Sequence, residues 1–231
     1  MLKKILFTAV ASMAVASMAF AQAKEEKAGC GGCSSGKTCC QDAALVKLPS
    51  MGYQVGDKVV ACPDEAAKLA KESKATVKYV VGEKTFADKG AATVAYTKEL
   101  NGFVESATSS IKFSVGGECM ACPVSAGDAA KKSGKPMMYR VATVDFKNES
   151  DAKKAIAAAK EAAEKVEMKI MVGDKCMGCP DSAAEVAKKE NKKVEYVVGE
   201  SRTCCDVEGK LNLARAKAEA VASVLAKAAK A

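Results

Sequence analysis

One short sequence motif occurs three times in this chain and limits the folds that the chain can adopt. The motif consists of an apolar segment, a glycine-led turn and a Cys-Pro pair, and it covers residues 53–63, 113–123 and 170–180. Its turn glycines are spaced by 60 and then 57 residues. Self-similarity at such a period predicts a tandem array of small structural units.

A second, weaker copy begins 26 residues after each first copy, at residues 79–88, 139–148 and 196–205. Aromatic and β-branched residues alternate into a two-residue turn that begins with Gly, which predicts a β-hairpin with a type II′ turn. The fourth of the six copies carries Ala142-Thr143 in place of the Gly-led pair. We expect that turn to be flattened into one longer strand.

An Ala-rich helix is predicted after each hairpin. Longer helices are expected at 91–106, 150–166 and 209–230. Behind the Cys-Pro pairs, apolar residues recur at i, i+3 and i+4 spacing, which marks one buried helical face: Ala66, Leu69 and Ala70; Ala126, Ala129 and Ala130; Ala183, Val186 and Ala187. The fold class is therefore α+β, with six tandem ββα (hairpin–helix) units paired into three small domains with antiparallel sheets, each covered by two helices.

The first residues indicate export. Lys3 and Lys4 precede an apolar stretch that is short for a bilayer span, and small residues near Ala21 and Ala23 offer a cleavage site. We predict a signal peptide at 1–23, a flexible Cys-rich segment at 24–48, and repeat domains at 49–108, 109–166 and 167–231. The mature protein is expected to be periplasmic or secreted, with no stable membrane insertion after cleavage.

Charge and composition exclude several functions. The formal net charge is +8, but the basic residues are nearly all Lys, interleaved with Glu on predicted helix faces. A nucleic-acid surface would be richer in Arg or interleaved with aromatics, so no nucleic-acid partner is predicted. The chain has no His, and it has no Walker or dinucleotide-binding Gly motif, so hydrolytic and nucleotide-dependent enzymes are not predicted.

One position of the repeat indicates where the chemistry lies. Six residues after the first turn residue, the six copies carry Cys62, Asp88, Cys122, Asn148, Cys179 and Cys205. Asp and Asn favour helix N-caps, and a Pro follows three of the cysteines at what would be the first helical residue. The cysteines are therefore predicted to start helices, where free N–H groups and the helix dipole favour a thiolate. A small capping or packing role is the alternative, above all for Cys62.

Cysteine pairs predict candidate metal ligands. Cys119 and Cys122 form one C-x-x-C in the second repeat, with Asp145 and Asn148 at matching points as a further source of an oxygen ligand. The third repeat has Cys176 and Cys179 in its first half and Cys204 and Cys205 in its second. If its halves are related by a pseudo-twofold axis, these four thiolates converge on one tetrahedral site, or form two disulfides instead.

A further cluster, Cys30, Cys33, Cys39 and Cys40, precedes the repeats in a segment rich in Gly and Ser. Such a segment can wrap a metal ion or act as a linker with cross-linked cysteines. Because the chain has eleven Cys and no His, its ligands are thiolates, which favour Cu(I) or Zn(II). Met120 and Met177, inside the C-x-x-C motifs, either lend a thioether or pack.

The two C-x-x-C segments, each at a predicted strand-to-helix junction, resemble the metal-binding loop of heavy-metal-associated domains. The resemblance implies that Cys119, Cys122, Cys176 and Cys179 bind Cu(I) and pass it between partners. It covers about fifteen residues per copy. The Met-x that precedes the first cysteine in that family is Gly-Glu or Asp-Lys here, and the family's βαββαβ order differs from the ββα duplication.

The first functional hypothesis is thus an exported, non-enzymatic, thiolate-based binder of soft metal ions that serves storage, buffering or detoxification. Two alternatives stay open. One is a periplasmic thiol–disulfide redox protein that uses the C-x-x-C pairs. The other is a structural envelope repeat protein whose domains are stapled by disulfides, although an odd number of cysteines leaves at least one unpaired within the chain.

Overall fold

The computed structural model describes residues 46–230, so the predicted signal peptide and the Cys-rich segment up to residue 45 lie outside the described residues. The described part alternates hairpins and helices six times, which confirms the α+β class and the ββα repeat. The first repeat contains β1 (Met51–Val55), β2 (Lys58–Val60), α1 (Pro63–Ser73), β3 (Val77–Val81), β4 (Lys84–Phe86) and α2 (Lys89–Ser109).

The other two repeats have the same order of elements. The second contains β5 (Lys112–Val115), β6 (Glu118–Met120), α3 (Pro123–Ser133), β7 (Met137–Val141), β8 (Val144–Phe146) and α4 (Glu149–Glu164). The third contains β9 (Lys169–Val172), β10 (Lys175–Met177), α5 (Pro180–Glu190), β11 (Val194–Val198), β12 (Ser201–Thr203) and α6 (Asp206–Ala228). The long closing helices are confirmed, with ends that differ from the predicted ones by three residues or fewer.

Each repeat forms one four-stranded antiparallel sheet, in which the first strands of the two hairpins pair at the centre. The orders are β2-β1-β3-β4, β6-β5-β7-β8 and β10-β9-β11-β12. The residues that recur every 26 positions face each other across this central pair, as Tyr53 does Tyr79 and Phe113 does Tyr139. Their ring centroids lie 5.8 and 5.9 Å apart, in the tilted geometry that aromatic pairs favour.

The hairpin turns explain the repeated glycine. Gly56 has a φ of 59°, and the residue after it is not in the positive-φ region, as in a type II′ turn. Gly116 and Gly117 differ, because both have positive φ, at 60° and 97°, which is the pattern of a type I′ turn. Glycine adopts these angles without the steric clash that a side chain brings.

The prediction that the Ala142 turn is flattened into one strand is wrong. Val141 pairs with Val144 across a two-residue turn, as in the other hairpins, and Ala142 takes a φ of 50°. The cross-strand ladder therefore imposes the turn on a residue that does not favour it. Left-handed backbone at a non-glycine residue costs about 1 kcal/mol.

We expect Ala142→Gly to raise the free energy of unfolding by about 0.5–1 kcal/mol, because it relieves this strain. Part of the gain is offset, since the Ala142 methyl group packs against the core. The matched control is Gly82→Ala at the equivalent turn of the first repeat, where φ is 57° and an added methyl group would meet no atom within 4 Å. That variant should lose about 1 kcal/mol in urea unfolding. A loss of stability in Ala142→Gly would contradict the strain.

Helix starts follow the predicted capping chemistry. The Asp88 carboxylate accepts a hydrogen bond of 2.7 Å from the Ala91 N–H, and the Asn148 amide oxygen accepts one of 2.9 Å from the Asp151 N–H. These bonds satisfy N–H groups that have no partner inside the helix. The predicted N-cap role of Asp88 and Asn148 is confirmed.

The three long helices pack against one another and give the three repeats a shared core. The helix α6 contacts both α2 and α4, and one apolar cluster contains buried residues from all three helices. Many of these are alanines, which let the helix axes approach closely: Ala92, Ala107, Ala152, Ala155, Ala159, Ala163, Ala214, Ala218, Ala222 and Ala226. The short helices α1, α3 and α5 bury a narrower stripe, led by Ala66, Ala126 and Ala183.

Candidate functional site

All seven cysteines in residues 46–230 are exposed, and none of these seven forms a disulfide. Six lie in or beside the C-x-x-C and Cys-Cys motifs, and Cys62 stands without a neighbouring cysteine in its hairpin. The four cysteines at Cys30, Cys33, Cys39 and Cys40 lie outside the described residues. The candidate site is therefore a set of surface thiols on three similar sheets.

Four of the thiols stand at helix N-caps, as predicted. Cys62, Cys122, Cys179 and Cys205 have extended backbones directly before α1, α3, α5 and α6, and in the first three cases Pro follows. Unlike Asp88, none of them forms a side-chain capping hydrogen bond of ordinary geometry. A sulfur atom is a weak acceptor, so these thiols are left available to other partners.

The helix start nevertheless lowers the pKa of two of these thiols. The backbone N–H groups of Ser125 and then Val124 favour the thiolate of Cys122 and lower the pKa of this group below its ordinary value. The N–H groups of Ser182 and Asp181 lower the pKa of Cys179 in the same way. Both cysteines are the second of a C-x-x-C, so each pair contains one thiol with an enhanced tendency to ionise.

Cys119 has a different environment, on the sheet face that points away from the helices. The Arg140 Nη1 donates a hydrogen bond of 3.0 Å to the Cys119 Sγ and another of 3.0 Å to the Gly117 carbonyl. The same guanidinium binds Asp145 through two hydrogen bonds of 2.6 Å. This bidentate contact raises the pKa of Arg140, and Asp145 in turn accepts a 3.4 Å hydrogen bond from buried Ser114.

The two side chains that were expected to offer an oxygen ligand in the second repeat have other partners. Asp145 is held by Arg140, and Asn148 caps α4 through its amide oxygen and donates its amide nitrogen to the Asp151 carboxylate. Neither group stands free for a metal bound at Cys119 and Cys122. Sequence reasoning missed Arg140, because it lies 21 residues from Cys119 and belongs to no motif.

The expected convergence of four thiolates in the third repeat is wrong. Cys176 lies in β10, at one edge of the sheet, whereas Cys204 follows β12 at the other edge. Three inter-strand spacings, about 14 Å, separate the two edges. Thiolates that share one zinc ion lie about 2.3 Å from it, so these two pairs cannot share an ion. Among residues 46–230, no three or more His, Cys, Asp and Glu side chains form a group that could hold a metal.

The methionines inside the C-x-x-C motifs point to the other side of the sheet. Met177 pairs with Ile170, is half-buried and packs against the apolar cluster under α5. Met120 pairs with Phe113 in the equivalent position and is likewise half-buried. Side chains alternate between faces along a strand, so Met177 and Cys176 project in opposite directions. The packing alternative therefore holds for Met177.

No protein-family model matches this sequence, and neither a curated protein nor a solved structure is significantly similar to it. Within the described range, none of the helices is both long enough and apolar enough to cross a bilayer. The chemistry of the exposed thiols is therefore the basis for any functional assignment.

Proposed function

We propose that this chain is an exported, non-enzymatic protein that binds soft metal ions through surface thiolates, for storage, buffering or detoxification. The observation that carries this proposal is the pair of exposed cap thiols, Cys122 and Cys179, whose pKa values are lowered by helix N–H groups. Each has a second exposed cysteine three residues earlier. Thiolates are the ligands that soft ions prefer, and a site at the surface lets an ion enter and leave.

The separation of the pairs narrows the choice of metal. Since the two halves of the third repeat cannot supply four thiolates to one ion, each C-x-x-C is proposed to act by itself. Cu(I) is a soft ion suited to a site of few sulfur ligands, whereas structural zinc sites are almost always tetrahedral. We therefore rank Cu(I) above Zn(II) as the cargo. The amino-terminal pattern of basic, apolar and small residues supports export to the periplasm or outside the cell.

A Cu(I) titration tests the proposal. The mature chain, with Cys30, Cys33, Cys39, Cys40, Cys204 and Cys205 replaced by Ser so that the two C-x-x-C pairs remain, would be titrated under anaerobic conditions against a chromophoric Cu(I) chelator. We expect about two Cu(I) ions per chain, and the loss of about one ion in Cys122→Ser and in Cys179→Ser. The matched control is Cys62→Ser, a cap cysteine without a partner, which should keep both ions. A stoichiometry below one, or full binding in both cap variants, would contradict the proposal.

A thiol–disulfide redox role is the second candidate, because the lowered pKa of Cys122 and the Arg140 contact at Cys119 also suit a thiol that attacks disulfides. The two roles differ in an insulin-reduction assay with dithiothreitol. A redox protein accelerates insulin precipitation, and the double variant Cys122→Ser, Cys179→Ser abolishes this effect. A metal binder leaves the uncatalysed rate unchanged.

A further inference from the structure

Met171 lies directly across from Cys176 in the third sheet. The two are partners in the ladder between β9 and β10, one position away from the pair that flanks the Gly173-Asp174 turn. In an antiparallel ladder the pair next to the turn-flanking pair has no mutual hydrogen bonds, and its Cα atoms are only about 4.5 Å apart. A thiol and a thioether therefore occupy neighbouring positions on the outer face of the sheet.

Among residues 46–230, neither sulfur atom forms a hydrogen bond or belongs to an apolar cluster. Cys176 is exposed. Met171 is half-buried and lies on the face of the sheet opposite to the apolar cluster under α5, which contains Ile170. On its other side Met171 faces Glu195, whose carboxylate forms an ion pair of 3.6 Å with Arg202. Met171 differs in this respect from Met177, whose side chain packs against the apolar cluster under α5.

The other two repeats lack this pair. Ser114 stands opposite Cys119 in the second repeat, where it is buried and bound to Asp145. Gln54 stands opposite Val59 in the first repeat. The thiolate–thioether neighbours are thus a property of the third repeat within residues 46–230, and the shared hairpin geometry does not by itself require them.

We propose that Met171 donates its thioether to the soft ion held by Cys176 and Cys179, which makes the third repeat a mixed thiolate–thioether site that favours Cu(I) over Zn(II). This inference rests on the proposed function. A thioether is neutral and soft, so it stabilises Cu(I) and adds little for Zn(II). It carries no proton at neutral pH, so it joins the ion without releasing one.

The test isolates the third repeat in the full mature chain. The four amino-terminal cysteines, Cys119, Cys122, Cys204 and Cys205 are replaced by Ser. Met171→Leu is then compared with Met138→Leu, a half-buried methionine on the outer face of the second sheet that faces Ser114. Leu keeps the volume and apolarity of Met, so both variants should fold. Competition with bathocuproine disulfonate measures Cu(I) affinity, a zinc chelator measures Zn(II) affinity, and X-ray absorption counts the sulfur ligands.

We expect Met171→Leu to weaken Cu(I) binding by at least about tenfold, because even groups that only support a metal ligand change affinity by that much. The sulfur count should fall from three to two, with Zn(II) affinity unchanged and Met138→Leu like the parent. Equal Cu(I) affinity in both Leu variants would overturn the role of Met171 while leaving the proposed function in place. Absence of Cu(I) binding in the parent chain would overturn both.

Discussion

Leu225→Ala is expected to destabilise all three repeats together, by about 2–5 kcal/mol. Leu225 lies on α6, is fully buried and belongs to the apolar cluster that α2, α4 and α6 share. Its truncation removes apolar contact and leaves a cavity that closely packed helices cannot fill. Because the cluster includes buried residues of each repeat, the loss should not remain within the third repeat.

Urea unfolding followed by circular dichroism measures the effect, and hydrogen exchange locates it. We expect one transition in the parent chain, because the three repeats share one core. Leu225→Ala should also show one transition, at clearly lower urea, because its loss is a large part of the roughly 5–15 kcal/mol by which a domain is stable. Amide protection in α2 and α4 should fall together with that in α6. The matched control is Val94→Ala on α2, a side chain that is 59% exposed and should change stability by less than about 0.5 kcal/mol.

Separate transitions would contradict the shared core. If Leu225→Ala lowered only one of two or three transitions, the repeats would unfold as the independent domains that the sequence period suggested. The experiment therefore also tests the predicted domain division at 108/109 and 166/167. Because the long helices of the three domains pack together, the test is whether the domains unfold one by one or as a single unit.

The local parts of the fold were predictable from the sequence because local chemistry determines them. Alternating apolar residues and a turn glycine define five of the six hairpins, and Asp88, Asn148 and the three Pro residues after cysteine define helix starts. The Ala142 turn shows the limit of this reasoning. An unfavourable residue at one position is outweighed by the cross-strand ladder on both sides, which costs more to disrupt than the strain.

The placement of the thiols was not predictable in the same way. Two similar hairpins can form one sheet through their first strands or through their second strands. The sequence repeat is the same in both arrangements. Only the observed central pairing of β9 with β11 sends Cys176 and Cys204 to opposite edges. Hairpin register, by contrast, was within reach, because a two-residue turn at Gly173 is enough to place Met171 opposite Cys176.

Arg140→Val should lower the free energy of unfolding by about 2 kcal/mol. The Arg140 side chain is 17% exposed and that of Asp145 is 30% exposed, so the ion pair is largely removed from water. Loss of the guanidinium leaves the Asp145 charge without its partner, and it also removes the donor to the Gly117 carbonyl and to Cys119. The estimate lies below the 3–5 kcal/mol of a fully buried pair because Asp145 still reaches solvent.

The chain itself supplies the matched control for this substitution. The first repeat has Val80 and Thr85 at the positions of Arg140 and Asp145, in the same register between its third and fourth strands. The double variant Arg140→Val, Asp145→Thr therefore has a precedent within the same fold. We expect it to recover all but about 0.5–1 kcal/mol of the loss, since replacing both members of a buried pair is often nearly neutral.

A double-mutant cycle in urea, completed by Asp145→Thr, separates the two explanations for the contact. Coupling of about 1–2 kcal/mol between Arg140 and Asp145 would show that the uncompensated carboxylate dominates the loss. A double variant as unstable as Arg140→Val would instead assign the loss to the bonds that Arg140 makes with Gly117 and Cys119. Because Val197 replaces Arg140 in the third repeat, this second outcome would give the free energy that the Arg140 contacts with Gly117 and Cys119 add to the second repeat.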